Sequence, residues 1–183
     1  MDFRFTEKDK EICLKIVRDT LGELLCSKTS EPLSLSENLE KELPCFVTLT
    51  TEDGRLRGCI GCLETLSPLH ENLRYFAEKA ALEDPRFSPV EPEELSALRI
   101  KVAVLGPIEP LDNVDSLELG KHGLCVSSGS RRGVLLASVA VEWGWNKKEF
   151  LDQTCEKAGL DPAGLSGYML EYFEEISFEE TSS

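Results

Sequence analysis

The residues with the clearest chemical potential lie in one short stretch, Arg57-Gly58-Cys59-Ile60-Gly61-Cys62. The thiol of Cys59 stands between two glycines, which permit backbone approaches that a side chain would forbid. A nearby cation such as Arg57 favours the thiolate form of a cysteine. The stretch therefore predicts a site, with Arg57, Gly58 and Gly61 as candidate binding residues. It leaves nucleophilic catalysis, redox chemistry, metal binding and plain packing open.

A nucleophilic Cys59 would need a general base as well as cations. The chain has two histidines, and His122 is the candidate base because it falls in a predicted turn, whereas His70 lies in the first turn of a predicted helix. Arg86, in the run Asp84-Pro85-Arg86-Phe87, has two interpretations. It binds an anion beside Cys59, with Asp84 in the same site, or it forms an interlobe salt bridge with a carboxylate.

Cys59 and Cys62 have the Cys-x-x-Cys spacing of half a zinc site or of a redox dithiol. A zinc site needs two more ligands, and the sequence has no second Cys-x-x-Cys and no His-x-His. No thioredoxin-like crossover pattern surrounds the pair. We therefore assign no metal ligand and no cofactor.

The stretch must be positioned by a hairpin. Strand-forming residues at 45–50 and 55–60 flank Asp53-Gly54, a strong turn signal, so we predict an antiparallel hairpin over residues 46–60. Helices are predicted to begin at Thr6, at Ser67-Pro68 and at Asn146. Further strands are predicted at 99–105, 124–127, 134–141 and 168–178, and a short helix at 91–98. Hairpins with separate helices indicate an α+β fold with a largely antiparallel sheet covered by helices.

Composition excludes several classes of protein. The 183 residues are 41% hydrophobic and carry a net charge of -14, so the chain is globular and repels bulk nucleic acid. No apolar run approaches the roughly 20 residues that span a bilayer. The N-terminus lacks the pattern of a secretory leader, so we expect a cytoplasmic protein whose seven cysteines are reduced. Four cysteines are predicted to be small buried hydrophobic residues: Cys13, Cys26, Cys125 and Cys155.

Five runs of residues together resemble the AMMECR domain family, also called AmmeMemoRadiSam system protein A. They are Phe46-Val47-Thr48-Leu49, Leu56-Arg57-Gly58-Cys59-Ile60-Gly61, Asp84-Pro85-Arg86-Phe87, His122-Gly123-Leu124 and Lys157-Ala158-Gly159-Leu160. Two positions depart from the family pattern. The chain has Leu136-Ala137-Ser138-Val139 where members usually carry Leu-Pro-Gln-Val, and Cys62 is not part of the usual motif.

The resemblance implies a single domain over residues 1–183 with two unequal lobes, each a sheet covered by helices. The larger lobe would comprise 1–60 and 108–183, and the smaller about 61–107. It also implies a Memo-like protein and a radical-SAM protein as partners, without implying a reaction. We therefore carry two hypotheses: a ligand- or partner-binding accessory protein acting through a cleft near Cys59, and an enzyme with Cys59 as nucleophile or redox thiol and His122 as base.

Overall fold

The predicted hairpin around Asp53-Gly54 is confirmed by the computed structural model of the protein, which describes residues 3–181. Strand β1 is Cys45–Thr50, strand β2 is Leu56–Gly61, and the two pair antiparallel. Gly54 has a φ of 81° and so adopts the left-handed conformation that the turn needs. β2 continues through Cys59 to Gly61, so the cysteine lies within a strand.

The chain divides into two compact units. Unit 1 runs to Val104 and resumes at Ser177, and unit 2 is Leu105–Ile176. This division differs from the expected lobes, because residues 61–104 carry a helix and a strand that pack in the same core as β1. The expected domain of 1–183 also extends at both ends outside the described residues.

Unit 1 packs antiparallel strands against two helices. Helix α1 is Glu7–Cys26, helix α2 is Leu69–Leu82, strand β3 is Arg99–Leu105, and a 3-10 helix occupies Pro92–Ala97. The strand order is β2-β1-β3, with antiparallel pairing throughout. Val47 and Leu49 of β1 face the helices and are fully buried. A capping box between Thr6 and Asp9 begins α1, as the sequence predicts.

Unit 2 has its own hydrophobic core and further antiparallel strands. Its strands are β4 (Glu109–Pro110), β5 (His122–Ser128), β6 (Arg131–Leu135) and β7 (Met169–Glu179), whose last residues belong to unit 1. β7 pairs antiparallel with β4 and β5, and β5 pairs with β6. Its helices are α3 (Ala137–Glu142), α4 (Lys147–Lys157) and the 3-10 turns Val114–Ser116 and Pro162–Gly167. Both units thus combine antiparallel strands with helices, which confirms the α+β class.

The predicted strand at 134–141 is confirmed for Val134 and Leu135, which belong to β6, and is wrong beyond them. The chain leaves β6 after Leu135 and enters α3 at Ala137. Valines in this run suggest a buried strand, but a short apolar run does not separate strand from helix. Tertiary packing decides here, because Ala137 and Ala140 are buried on one helix face whereas Val141 is 63% exposed.

The prediction that Cys26 is buried is also wrong, because this last residue of α1 lies at the surface. The other three cysteines in that group are buried, and all seven are free thiols in the structure. Within residues 3–181, no helix is long and apolar enough to cross a membrane.

Candidate functional site

Two glycines in β2 are required by close packing. A Cβ on Gly58 would lie 2.1 Å from the carbonyl oxygen of Ala80, so α2 packs its backbone directly on the strand. A Cβ on Gly61 would lie 2.3 Å from the carbonyl oxygen of Cys45. Neither glycine has a positive φ. The glycines of the motif therefore serve close approach, which sets the position of Cys59 against α2 and β1.

The backbone of Cys59 is held by the pair Asp84 and Arg86. The Cys59 amide donates to Asp84 Oδ2 at 2.9 Å, and Arg86 Nη2 donates to the Cys59 carbonyl at 3.2 Å. Arg86 also binds Asp84 in a fork, from Nε to Oδ1 at 2.9 Å and from Nη2 to Oδ2 at 2.6 Å. Because β2 is an edge strand of its sheet, these side chains replace the missing neighbouring strand at Cys59.

The Asp84 carboxylate is almost fully buried, with 4% of the residue exposed. Hydrogen bonds from Arg86 hold the pKa of Asp84 well below its usual range, against burial, which acts in the opposite direction. The Cys59 amide adds to the lowering. Arg86 is half-exposed, and its Nη1 has no hydrogen-bond partner among the described residues. Asp84 is thus an ionised anchor, and one edge of the Arg86 guanidinium remains available.

The thiol of Cys59 lies beside a hydroxyl. Cys59 pairs in register with Thr48 of β1, and the two side-chain atoms Sγ and Oγ1 are 3.1 Å apart. Cys59 is partly exposed, on the face of the sheet opposite to Val47 and Leu49. We call Cys59, Thr48, Asp84 and Arg86 the Cys59 site.

Arg57 is used for structure in unit 1. Its Nε and Nη2 bind the two carboxylate oxygens of Glu94 at 2.8 and 2.9 Å, and its Nη1 and Nη2 donate to the carbonyls of Ser88 and Pro89. Hydrogen bonds from Arg57 lower the pKa of Glu94. Arg57 therefore ties β2 to the segment at 88–94, and its donors point at those groups.

Cys62 faces the core of unit 1. Both Cys62 and Ile60 pack on the core cluster, whereas Cys59 does not belong to it. Burial raises the pKa of the Cys62 thiol. No group of three or more His, Cys, Asp and Glu residues within 3–181 is placed to hold a metal ion. The two thiols of the Cys-x-x-Cys spacing therefore have different surroundings.

His122 lies in unit 2, at the first position of β5, and is 8% exposed. Its Nδ1 accepts the backbone N–H of Glu118 at 3.1 Å, so the neutral ring carries its proton on Nε2. Burial lowers the pKa of His122, with the charge of Lys121 adding to the effect. The imidazole therefore offers a donor at Nε2, and its role as base to Cys59 stays a prediction. His70, in unit 1, places Nδ1 3.0 Å from the Leu39 carbonyl.

Sequence reasoning missed Thr48 and Glu94 as partners of the predicted residues. Counting outward from the Asp53-Gly54 turn could have brought Thr48 near Cys59, although the register shifts between Leu49 and Thr50. Glu94 lies 37 positions from Arg57. No local pattern signals such a pairing.

Three open grooves of unit 1 lie away from these residues. The largest has a volume of about 670 Å³ and contains the ion pair of Arg18 with Glu180. The others, of about 560 and 340 Å³, contain Cys26 and Asp9 respectively. Cys59, Arg57 and Arg86 line none of the three. The cleft expected near Cys59 stays a prediction.

Comparisons with known proteins agree with the family resemblance. The AMMECR1 family model matches residues 14–178. Protein NEQ441 of Nanoarchaeum equitans is 40% identical over 153 residues, covering 80% of this chain and 85% of the other. A protein of Methanothermobacter thermautotrophicus is 44% identical over 159 residues, covering 81% of each chain.

One solved structure shows the same fold. The crystal structure of PH0010 from Pyrococcus horikoshii, described as an uncharacterized protein, superposes with a TM-score of 0.85. It is 34% identical, and the match covers 97% of this chain and 94% of that one. None of the three names states a reaction.

Proposed function

From the premise that this chain belongs to the AMMECR1 family, we propose that it is a ligand- or partner-binding accessory protein that acts through the Cys59 site. The main support for this proposal is the group beside the Cys59 thiol, the hydroxyl of Thr48. Cys59 Sγ lies 3.1 Å from a threonine hydroxyl, which does not act as a base near neutral pH. A nucleophilic cysteine requires activation by a base, a cation at the sulfur or a helix N-terminus.

The available edge of Arg86 supports binding. Asp84 fixes the guanidinium through two hydrogen bonds, so its orientation is set before any ligand arrives. Nη1 can donate two hydrogen bonds to a carbonyl, carboxylate or phosphate oxygen. Because Asp84 already neutralises the charge of Arg86, this edge suits a polar group of a partner as well as an anion. Pre-organisation of this kind lowers the cost of binding.

The partners implied by the family resemblance are a Memo-like protein and a radical-SAM protein, and we place the function in the cytoplasm, in line with the composition. The partners and the location are part of the proposal. An enzyme with Cys59 as nucleophile and His122 as base is the alternative that the following experiment separates from it.

Alkylation of the native protein distinguishes a binding protein from an enzyme with Cys59 as its nucleophile. Iodoacetamide would be added near neutral pH, and peptide mass spectrometry would follow the labelling of Cys59 and of exposed Cys26 in the same sample. We expect Cys59 to react no faster than Cys26. A Cys59 rate at least tenfold higher would contradict the binding proposal and support a nucleophilic thiol.

Binding itself is tested with purified candidate partners. Cys59→Ser and Arg86→Lys should each weaken capture of a Memo-like or radical-SAM protein while the melting temperature is kept. The matched control is Arg55→Lys, an exposed arginine of the same hairpin that pairs with Asp53. Loss of binding in the control as well, or unchanged binding in both site variants, would contradict a role for the Cys59 site.

A further inference from the structure

Cys62 has a second cysteine opposite it, on the neighbouring strand. The register of the hairpin pairs Phe46 with Gly61, so the next step pairs Cys45 with Cys62. The backbone agrees, because the Cys62 amide donates to the Cys45 carbonyl at 3.1 Å. Residues directly opposite each other at such a hydrogen-bonded position have Cα atoms about 5.5 Å apart.

The two side chains point to the same face of the hairpin. Cross-strand partners share a face, and both Cys45 and Cys62 belong to or pack on the core cluster of unit 1. A disulfide needs Cα atoms about 4.4–6.8 Å apart, and the Cα separation typical of cross-strand partners at such a hydrogen-bonded position lies within that range.

Cys59 cannot take the place of Cys45. It lies on the opposite face of β2 from the core, with its sulfur beside Thr48. The Cys-x-x-Cys spacing suggests a dithiol, but the alternation of side chains along the strand places Cys59 and Cys62 on opposite faces. The third cysteine in the neighbourhood is Cys13 of α1, which is fully buried in the same core cluster as Cys45.

We propose that Cys45 and Cys62 form a reversible intramolecular disulfide when the protein meets a disulfide oxidant. Cys62 is the thiol that meets the oxidant, because it is partly exposed, whereas Cys45 is fully buried. Cys45 then resolves the intermediate without reaching solvent. The crosslink joins the start of β1 to the end of β2, where a backbone hydrogen bond already holds the two residues together.

The chemistry balances with glutathione disulfide as the oxidant. The Cys62 thiolate attacks one sulfur of glutathione disulfide, which forms a mixed disulfide and releases one glutathione thiolate. Cys45 loses its proton and attacks the Cys62 sulfur, so the second glutathione leaves. Two protein thiols are oxidised, one glutathione disulfide is reduced to two glutathiones, and the two protons pass to the released thiolates.

Burial raises the pKa of both thiols, so the thiolate forms are scarce at neutral pH. The reaction is therefore slow at neutral pH and faster in alkali, because the thiolate is the attacking species. This pH dependence separates the pair from a low-pKa catalytic dithiol.

The test uses the full chain, reduced and then incubated with glutathione disulfide at mildly alkaline pH. Remaining thiols would be alkylated in denaturant and the peptides mapped by mass spectrometry. We expect two of the seven thiols to be lost, in one Cys45–Cys62 crosslink that dithiothreitol reverses. The melting temperature of the oxidised protein should exceed that of the reduced protein.

Two serine variants on the same hairpin provide the controls. Cys62→Ser should form no crosslink at Cys45, whereas Cys59→Ser should lose the same two thiols as the wild type. Circular dichroism would verify that both variants are folded. A Cys59–Cys62 or Cys13–Cys45 crosslink, a mixed disulfide that persists on Cys62, linkage between molecules, or no loss of thiols would overturn the proposal. The wild-type mapping decides even where a variant fails to fold.

Discussion

Each unit places a cysteine near an arginine, and the two pairs differ in what the arginine holds. In unit 1, Arg86 binds the carbonyl of Cys59 and the carboxylate of Asp84, and the thiol is partly exposed. In unit 2, Nε of Arg132 donates directly to the Sγ of Cys125 at 3.0 Å, and Cys125 is fully buried. Burial raises the pKa of Cys125, and Arg132 partly offsets that increase.

The difference concerns which part of the cysteine is constrained. At Cys59 the backbone is fixed and the side chain can meet another molecule. At Cys125 the sulfur is itself an acceptor within the protein, so its reaction would first require local opening. A thiol near an arginine is therefore insufficient to identify a reactive site, because the arginine can serve the fold in either arrangement.

The largest expected effect comes from removing the anchor of the Cys59 site. Asp84→Ala leaves the Cys59 amide and Arg86 without their shared acceptor, so we expect a loss of about 3 kcal/mol in the free energy of unfolding. Urea denaturation measures it. Asp53→Ala, which breaks the exposed pair with Arg55, is the control and should cost less than about 0.5 kcal/mol. Equal losses in the two variants would show that Asp84 is no anchor.

The carboxylate of Asp84 also predicts how the free energy of unfolding changes in acid. The pKa of Asp84 is lower in the folded protein than in the unfolded chain. The ionised carboxylate therefore stabilises the folded state above the unfolded pKa of roughly 4, and this stabilisation is lost as the pH falls through the folded pKa. The stability difference between wild type and Asp84→Ala should therefore shrink as the pH is lowered from neutral into the acid range. A difference that stays constant with pH would contradict the charged anchor.

Substituting alanine for a tightly packed glycine in each unit tests whether both units depend on close helix packing in the same way. A Cβ on Gly58 would meet the Ala80 carbonyl at 2.1 Å, and one on Gly133 would meet the Thr154 carbonyl at 2.5 Å. We expect Gly58→Ala and Gly133→Ala each to cost about 2 kcal/mol in thermal or urea unfolding. Gly167→Ala has open space at that position and should cost little. A neutral Gly58→Ala would show that α2 can move away from β2.

Removing the thiol of Cys125 should have a smaller effect. Cys125→Ala deprives Arg132 of a hydrogen-bond acceptor and leaves a small void, so we expect a loss of about 1–2 kcal/mol. Because its pKa is raised, the wild-type thiol contributes stability below the unfolded pKa of about 9, and this is lost as pH rises through the folded value. The variant should therefore lose less stability than the wild type in alkali. Parallel alkaline curves would contradict this account.

The smallest effect on stability is expected at Cys59. A serine hydroxyl can bond Thr48 where the thiol now lies, so Cys59→Ser should change the free energy of unfolding by less than about 1 kcal/mol. If the Cys59 site is functional, the same variant loses partner binding. A clearly lower melting temperature with normal binding would rule out the functional interpretation, and unfolding and capture assays on one preparation decide it.

Local signals in the sequence determined much of the scaffold. The Asp53-Gly54 turn, the cap at Thr6 and the cap at Asn146 each act within a few residues, so the hairpin and the starts of α1 and α4 follow from the chain alone. The runs around Cys59, Asp84 and His122 also indicated the family that the comparisons show. These features depend on adjacent residues and need no knowledge of distant partners.

The tertiary structure decided which residues contact the arginine and the cysteines of the motif. Arg57 binds Glu94, Cys59 binds Asp84, and Cys62 lies opposite Cys45, pairs that loop closure and strand register bring together. The segment 137–142 became a helix because packing favours two buried alanines over the strand preference of its valines. Sequence spacing joined Cys59 to Cys62, but the alternation of a strand separated them, because side chains three positions apart point to opposite faces.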